Sequence, residues 1–446
     1  MAIGAGVGRC LRLLGLACLL GASVQGRAGD DAAEALAGTT FFGYGKAMYV
    51  FDDKKGGRPN QNTAGFGGKL GLESGDYRGW RLRAAWYTTQ DLGLARDNPR
   101  QTDAYMFGLD KRPYSLWGEA QLIYSRGRSR LTLGRQEIQS PLINSYEYRI
   151  IPNLFDAYVL SSRELPGTTL TLGYVGQMSG LDGLVSFSDF RSMSQQTYTS
   201  LLVDGRGRPD ARNGETLDPS TVVGHRGVWM SGVAYEAEHK LQLWHYYGRD
   251  TLQTVYAEGR FKQPLGRGFT ALIDGQAYRV SEVGAFRDYL ARYGLNASYG
   301  LAGLKGTLAH APSGLSLALM ANRFGGDQRT VTAYGNWGGY PEFVLMPYLY
   351  AENDAMSAIA RSRLRKATLL LDLGPYGLPE HSLLLGHARM DIDEAILPGA
   401  DIIANSLIYR ARLTPRVSAR LHLEARSSAH SRYDNHFLTL GLRYDF

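Results

Sequence analysis

Polar and apolar residues alternate one by one along most of this chain. From Arg416 to Arg426, Val417, Ala419, Leu421, Leu423 and Ala425 hold one parity, and Arg416, Ser418, Arg420, His422, Glu424 and Arg426 hold the other. A period of two puts the two sets on opposite faces of a β-strand. The alternation recurs around Arg81 and Arg83, around Arg126, Arg128 and Arg130, and around Arg410 and Arg412. The runs are about nine to fourteen residues long, the length of a tilted strand that crosses a bilayer. No long segment beyond the N-terminus carries a helical period. About 18 to 20 strands are expected between Thr39 and Phe446, in one domain without linker or fixed-period repeat. Leu413-Thr414-Pro415-Arg416 suits a tight hairpin, whereas Leu181 to Gly224 and Phe324 to Ala360 read as long loops rich in Gly, Ser, Asp, Asn and Tyr. Short turns at one end and long loops at the other belong to outer-membrane barrels, while a compact soluble domain seldom holds two such connections.

The last ten residues sharpen this. Leu438, Leu440, Leu442, Tyr444 and Phe446 share one parity, with Thr439, Gly441, Arg443 and Asp445 between them. Such a row suits lipid, with aromatic rings at the interface. It looks like the closing strand of bacterial outer-membrane proteins, and that resemblance makes Phe446 a signal for the barrel insertion machinery. At the other end, Arg9 and Arg12 flank and enter an apolar stretch from Leu11 to Ala22, followed by small residues up to Ala28. The pattern is that of a secretory signal peptide, assigned to residues 1–28, and the run is too short for a membrane anchor. The barrel domain is then residues 29–446.

Composition agrees. The chain has 446 residues, of which 55 are Gly and 28 are Tyr, and 44% are apolar. Mean hydropathy of −0.24 excludes a bundle of membrane helices, and the apolar content excludes disorder. Both cysteines, Cys10 and Cys18, fall within the leader, so the mature chain holds no disulfide or thiolate site. Removing Arg9, Arg12 and Arg27 lowers the formal charge from +7 to +4. That mild excess gives no reason to expect a nucleic-acid partner.

Where the arginines sit matters more. Arg81, Arg83, Arg126, Arg128, Arg130, Arg410, Arg412, Arg416, Arg420 and Arg426 lie on the polar parity of their runs. An Arg facing lipid at the bilayer midplane costs about 2–4 kcal/mol, so these rows are expected to face a water-filled lumen. There they would focus the field on anions and hold carboxylates in bidentate fashion, or pair with acidic residues across the wall.

The stretch from Leu131 to Leu170 contains Gly134-Arg135-Gln136, Ser140-Pro141-Leu142, Asn144, Tyr146-Glu147-Tyr148-Arg149, Pro152 and Ser161-Ser162-Arg163-Glu164. It resembles the OprD family of outer-membrane porins over about 45 residues. The resemblance implies an all-β transmembrane barrel of about 18 strands with a loop folded into the lumen. It makes Pro141 to Pro152 the constriction, with Asn144, Tyr146, Glu147 and Arg149 its pore-lining members. It also implies passive diffusion of small solutes, anionic carboxylates among them, in contact with outer-membrane lipid and lipopolysaccharide. Monomer and homotrimer both stay open.

No phosphate-binding Gly loop, nucleophile elbow or His-Glu-x-x-His motif is present. His422, His430, His436 and Asp434 have no metal-ligand spacing, so no metal or cofactor is expected. A barrel enzyme, which would need a His/Asp/Ser set at one rim, and an adhesin, which would need rigid loops, are the two alternatives to a porin.

Overall fold

The computed structural model describes residues 33–446 apart from 58, 95–97, 104–105, 147–148, 181–185, 197–210, 213–214, 332–336, 345–358 and 431–432. The leader assigned to residues 1–28 lies outside the described residues, as does Glu147. Strands β1 (Thr40–Lys54), β2 (Gln61–Glu73), β3 (Trp80–Gln90), β4 (Tyr114–Arg126), β5 (Ser129–Gln136) and β6 (Leu154–Ser162) open the chain. They continue as β7 (Thr168–Ser179), β8 (Val228–Glu236), β9 (Lys240–Gly248), β10 (Leu252–Gly266), β11 (Phe269–Glu282) and β12 (Tyr299–His310). Last come β13 (Leu315–Phe324), β14 (Arg363–Asp372), β15 (Ser382–Asp391), β16 (Ile402–Thr414), β17 (Val417–Ser427) and β18 (Asn435–Asp445).

Each strand pairs antiparallel with the next, and β18 returns to β1 with Met48 opposite Gly441. The result is a closed barrel of 18 strands. Closure satisfies every ladder N–H and C=O, which hydrocarbon cannot do. No helix among the described residues is long and apolar enough to cross a membrane, so the strands make the crossing. The nine-residue helix Gly284–Arg292 lies in the loop between β11 and β12. The alternation had pointed to no helix there, because the segment is short and its apolar side is met by loops that are remote in sequence.

Alternation sets the two faces. In β17, His422, Glu424 and Arg426 are buried inside while Leu423 and Ala425 are exposed outside. Register carries this parity around the wall, so Leu70, Leu172, Leu243, Ile273, Leu304, Leu319, Leu369 and Leu440 form an exposed outer band. In water such a band would drive association, but against lipid it is the stable surface. Near the short turns the band ends in aromatics: Trp80 against Tyr124 with ring centroids 4.6 Å apart, and Tyr444 stacked on Phe446 at 6.2 Å.

The interior is filled unevenly. Toward the long-loop end, wall residues such as Tyr246, Tyr256, Tyr278 and Phe324 pack with the loop residues Ile143, Phe286 and Trp337 in one buried cluster. A second cluster joins Met48, Val50 and Tyr87 of the wall to Phe107, Ile150 and Ile151 of loops. Loops therefore close down the loop-end half of the lumen, and the turn-end half stays open.

Candidate functional site

The connection from β5 to β6, residues 137–153, runs inward across the barrel. Gly134 (φ 102) lets β5 bend as it leaves the wall, and a Cβ there would meet the Ala120 carbonyl oxygen at 2.3 Å. On one side the Tyr246 hydroxyl of β9 donates to Ser140 Oγ at 3.0 Å and accepts from the Leu142 N–H at 3.3 Å. On the far side Tyr44 Oη donates to the Ile150 carbonyl at 2.7 Å, and Lys46 Nζ donates to the Arg149 carbonyl at 2.6 Å. Ile150 reaches the wall because β2 carries Gly65 and Gly67 on its inner face; a Cβ on Gly67 would meet Ile150 Cγ2 at 2.9 Å. The loop thus spans from β9 to β1 and β2. The β13–β14 loop braces it, since Trp337 and Gly339 donate backbone N–H bonds to the Leu142 carbonyl at 2.8 and 3.1 Å.

The expected constriction residues have different surroundings. Tyr146 is half exposed, and its phenol lies within electrostatic reach of Arg410 on the facing wall. Asn144 works within the loop: its side-chain amide donates to the Ser140 carbonyl at 3.0 Å. Arg149 departs from the expectation. It is buried, with its guanidinium over the Phe187 ring at 5.6 Å, so it fastens the loop to its neighbour and does not line an open lumen.

Facing the loop is a basic wall. Lys46, Arg410, Arg412, Arg416, Arg420 and Arg443 line a cavity of about 480 Å³ together with Glu380 and Asp445. Register builds it: Arg410 stands opposite Arg420, Ser418 stands between Arg412 and Arg443, and Arg443 stands opposite Lys46. Asp445 accepts from Arg443 Nε at 2.8 Å, and Glu380 lies 3.5 Å from Arg412. Among the described residues Arg410 makes no ion pair. Six cations thus face two carboxylates, and the excess is positive.

Other members of the expected ladder fare differently. Arg426 does point inward, but it is buried and donates to Asn435 Oδ1 at 2.6 Å, and Asn435 donates in turn to Asp52 at 2.7 Å. Arg81 and Arg83 share the inner face and both bond Glu73 at 2.8 Å, while Arg83 also bonds Glu119 at 2.6 Å. Arg130 is on the inner face, opposite Ser125 and Ser161. Two members do not face the lumen. Arg126 is opposite Ser129 on the parity of exposed Leu122, and Arg128 lies in the two-residue turn, where its N–H donates to Glu164 at 2.6 Å. A hairpin breaks the alternation, so parity cannot be carried across Gly127 and Arg128. Arg416 sits in the turn at the rim of the basic cavity, 3.4 Å from the Tyr444 hydroxyl.

Sequence reading missed Lys46 and Lys69, each flanked by small or apolar residues rather than set in an arginine row. Lys69 holds Glu119 at 3.1 Å and Glu137 at 2.8 Å, which pins the start of the infolded loop. The opposite wall is aromatic instead of basic, and buried Glu342 of the β13–β14 loop accepts from Tyr278 there at 2.8 Å. Phe446 lies on the outer face, and its backbone exchanges two hydrogen bonds with Gly43, at 3.1 and 3.3 Å.

Residues 108–329 match the model of the outer membrane porin family OprD. Among solved structures, Pseudomonas aeruginosa OccK9 (OpdG) is similar with a TM-score of 0.71 at 17% identity, covering 92% of this chain and 99% of that one. P. aeruginosa OpdK, solved with vanillate, gives 0.68 at 18% identity over 92% and 99%. Acinetobacter baumannii OccAB1 gives 0.68 at 15% identity over 92% and 97%. No curated protein matches the chain.

Proposed function

Because the chain belongs to the OprD family of outer-membrane porins, we propose that it passes small anionic solutes, carboxylates above all, by passive diffusion across the bacterial outer membrane. The observation that carries this is the cavity lined by Arg410, Arg420, Arg443 and Lys46, with Arg410 in electrostatic reach of Tyr146 on the infolded loop. Fixed positive charge in a narrow, low-dielectric passage concentrates anions, and guanidinium groups match the geometry of a carboxylate. Each carboxylate bound this way is released again because water and neighbouring arginines compete for it, as a conducting path requires. OpdK has been solved with vanillate, an aromatic carboxylate, and the same solute class suits an arginine wall opposite aromatic residues. Export through the leader at residues 1–28 and reading of Phe446 by the insertion machinery complete the proposal.

Liposome swelling tests it. Wild-type protein should admit small monocarboxylates faster than amines of equal size, and the double variant Arg410→Gln/Arg420→Gln should lose about threefold to tenfold of that preference at low salt. The difference should shrink at high salt, where screening shortens the reach of the remaining charges. An unchanged preference in the double variant at low salt would remove the arginine wall from the selectivity mechanism.

A further inference from the structure

The outer face carries a charged feature that the lumen does not explain. Near the long-loop end of β11 to β15, Arg279, Arg323, Arg363, Arg365 and Arg389 are exposed on the lipid-facing parity, directly above the band of Leu304, Leu319, Leu369 and Leu385. Register sets like charges side by side: Arg323 is opposite Arg363, and Arg365 is opposite Arg389. Cross-strand neighbours of like charge repel, so the pairing costs stability unless an anion sits between them. The protein supplies few. Arg389 is held by Asp391 and by Asp401 at 3.5 Å, whereas Arg279, Arg323, Arg363 and Arg365 have no hydrogen bond or ion pair among the described residues. Between Arg279 and Arg323, β12 presents only Gly300 and Ala302, which leaves a shallow trough.

Position identifies the ligand. An outward Arg costs about 2–4 kcal/mol at the midplane but almost nothing at the headgroup level, so these side chains mark the outer interface. The same face at the turn end presents Phe269, Leu315 and Leu371, so the charge belongs to one leaflet only. Strands about 4.8 Å apart make the patch about 19 Å wide, enough for a headgroup with two phosphates. We propose that Arg279, Arg323, Arg363 and Arg365 form a binding site for the phosphates of an outer-leaflet glycolipid, lipid A in chemical class, whose acyl chains lie along the leucine band below. This rests on the outer-membrane location and is independent of what the lumen passes.

The test compares binding of bis-phosphorylated lipid A with that of its dephosphorylated form to the full-length barrel in detergent. Wild type should bind the phosphorylated lipid about tenfold or more tightly, and Arg323→Gln/Arg363→Gln/Arg365→Gln should abolish that preference while keeping wild-type single-channel conductance and heat-modifiable migration. Inorganic phosphate at the same concentration should not displace the lipid. Equal binding of the two lipids by wild-type protein would overturn the proposal even if the variant failed to fold, and so would an unaltered preference in a folded variant. Displacement by equimolar inorganic phosphate would overturn the glycolipid assignment. Conductance reads the lumen separately, so a failed selectivity proposal and a failed lipid site give different results.

Discussion

Arg420 and Arg426 share one face of β17, but different neighbours give them different roles. Arg420 borders an open cavity with Arg410 across from it, while Arg426 is locked between Asn435 and Glu424. Parity alone cannot distinguish them, since both sit on the polar side of the same run. Arg426→Ala should leave Asn435, Asp52 and Glu424 buried without that cation, at a cost of about 3 kcal/mol, and leave anion preference nearly unchanged. A lowered midpoint for loss of the compact band on heating would bear this out, and an unaltered midpoint would contradict it. Glu342 ties the β13–β14 loop to pH. Burial in the loop raises its carboxyl above the ordinary carboxylate range. A folded-state value above the unfolded one means that folding favours the protonated form, so its contribution is full at low pH and fades as pH rises from about 4.5 through the folded value. The packing of the β13–β14 loop on Tyr278 should therefore loosen with rising pH. Glu342→Gln should flatten that part of the pH–stability curve, and a curve identical to wild type would show that Glu342 is not its source.

At the scale of elements, strands were legible and loops were not. Val417 to Ala425 and Leu438 to Phe446 announce their faces because lipid on one side and water on the other impose a strict period of two. Arg126 shows where this fails, because the turn at Gly127 and Arg128 resets the parity that three alternating arginines had suggested. The infolding of residues 137–153 was legible only through family resemblance. Its fasteners, Tyr246, Lys46 and the inner-face glycines of β2, come from strands far away in sequence. For the same reason Arg149 reads as a pore residue in the sequence and is a packing residue in the fold. Deleting residues 144–149 should raise single-channel conductance severalfold, because the narrowest segment dominates a series resistance. Conductance equal to wild type would place the loop outside the conducting path. Deleting Phe446 removes an aromatic contact with Tyr444 and the final backbone pairing to Gly43. It should reduce the membrane-inserted fraction without altering the conductance of channels that do insert, and undiminished insertion would argue against its role as a signal.

For the whole molecule, a modest net charge conceals a strong arrangement. Cations gather on the β16–β18 and β1 side of the lumen, aromatic residues on the β9–β13 side, and a second set of arginines on the outer face near the long loops. Composition left both a large soluble β protein and a membrane barrel open, and alternation pointed to the barrel because the outer wall must be apolar on one parity throughout, a constraint that many residues express together. The division of charge around the barrel depends on register between distant strands and was therefore beyond the reach of composition. In the proposed function this arrangement makes an anion-preferring channel. The zero-current potential of wild-type channels in a planar bilayer under a salt gradient tests it most directly. At low ionic strength the potential should have the sign of anion selectivity and move toward zero as salt rises. A stable potential of the opposite sign, or inserted protein that carries no current, would contradict it.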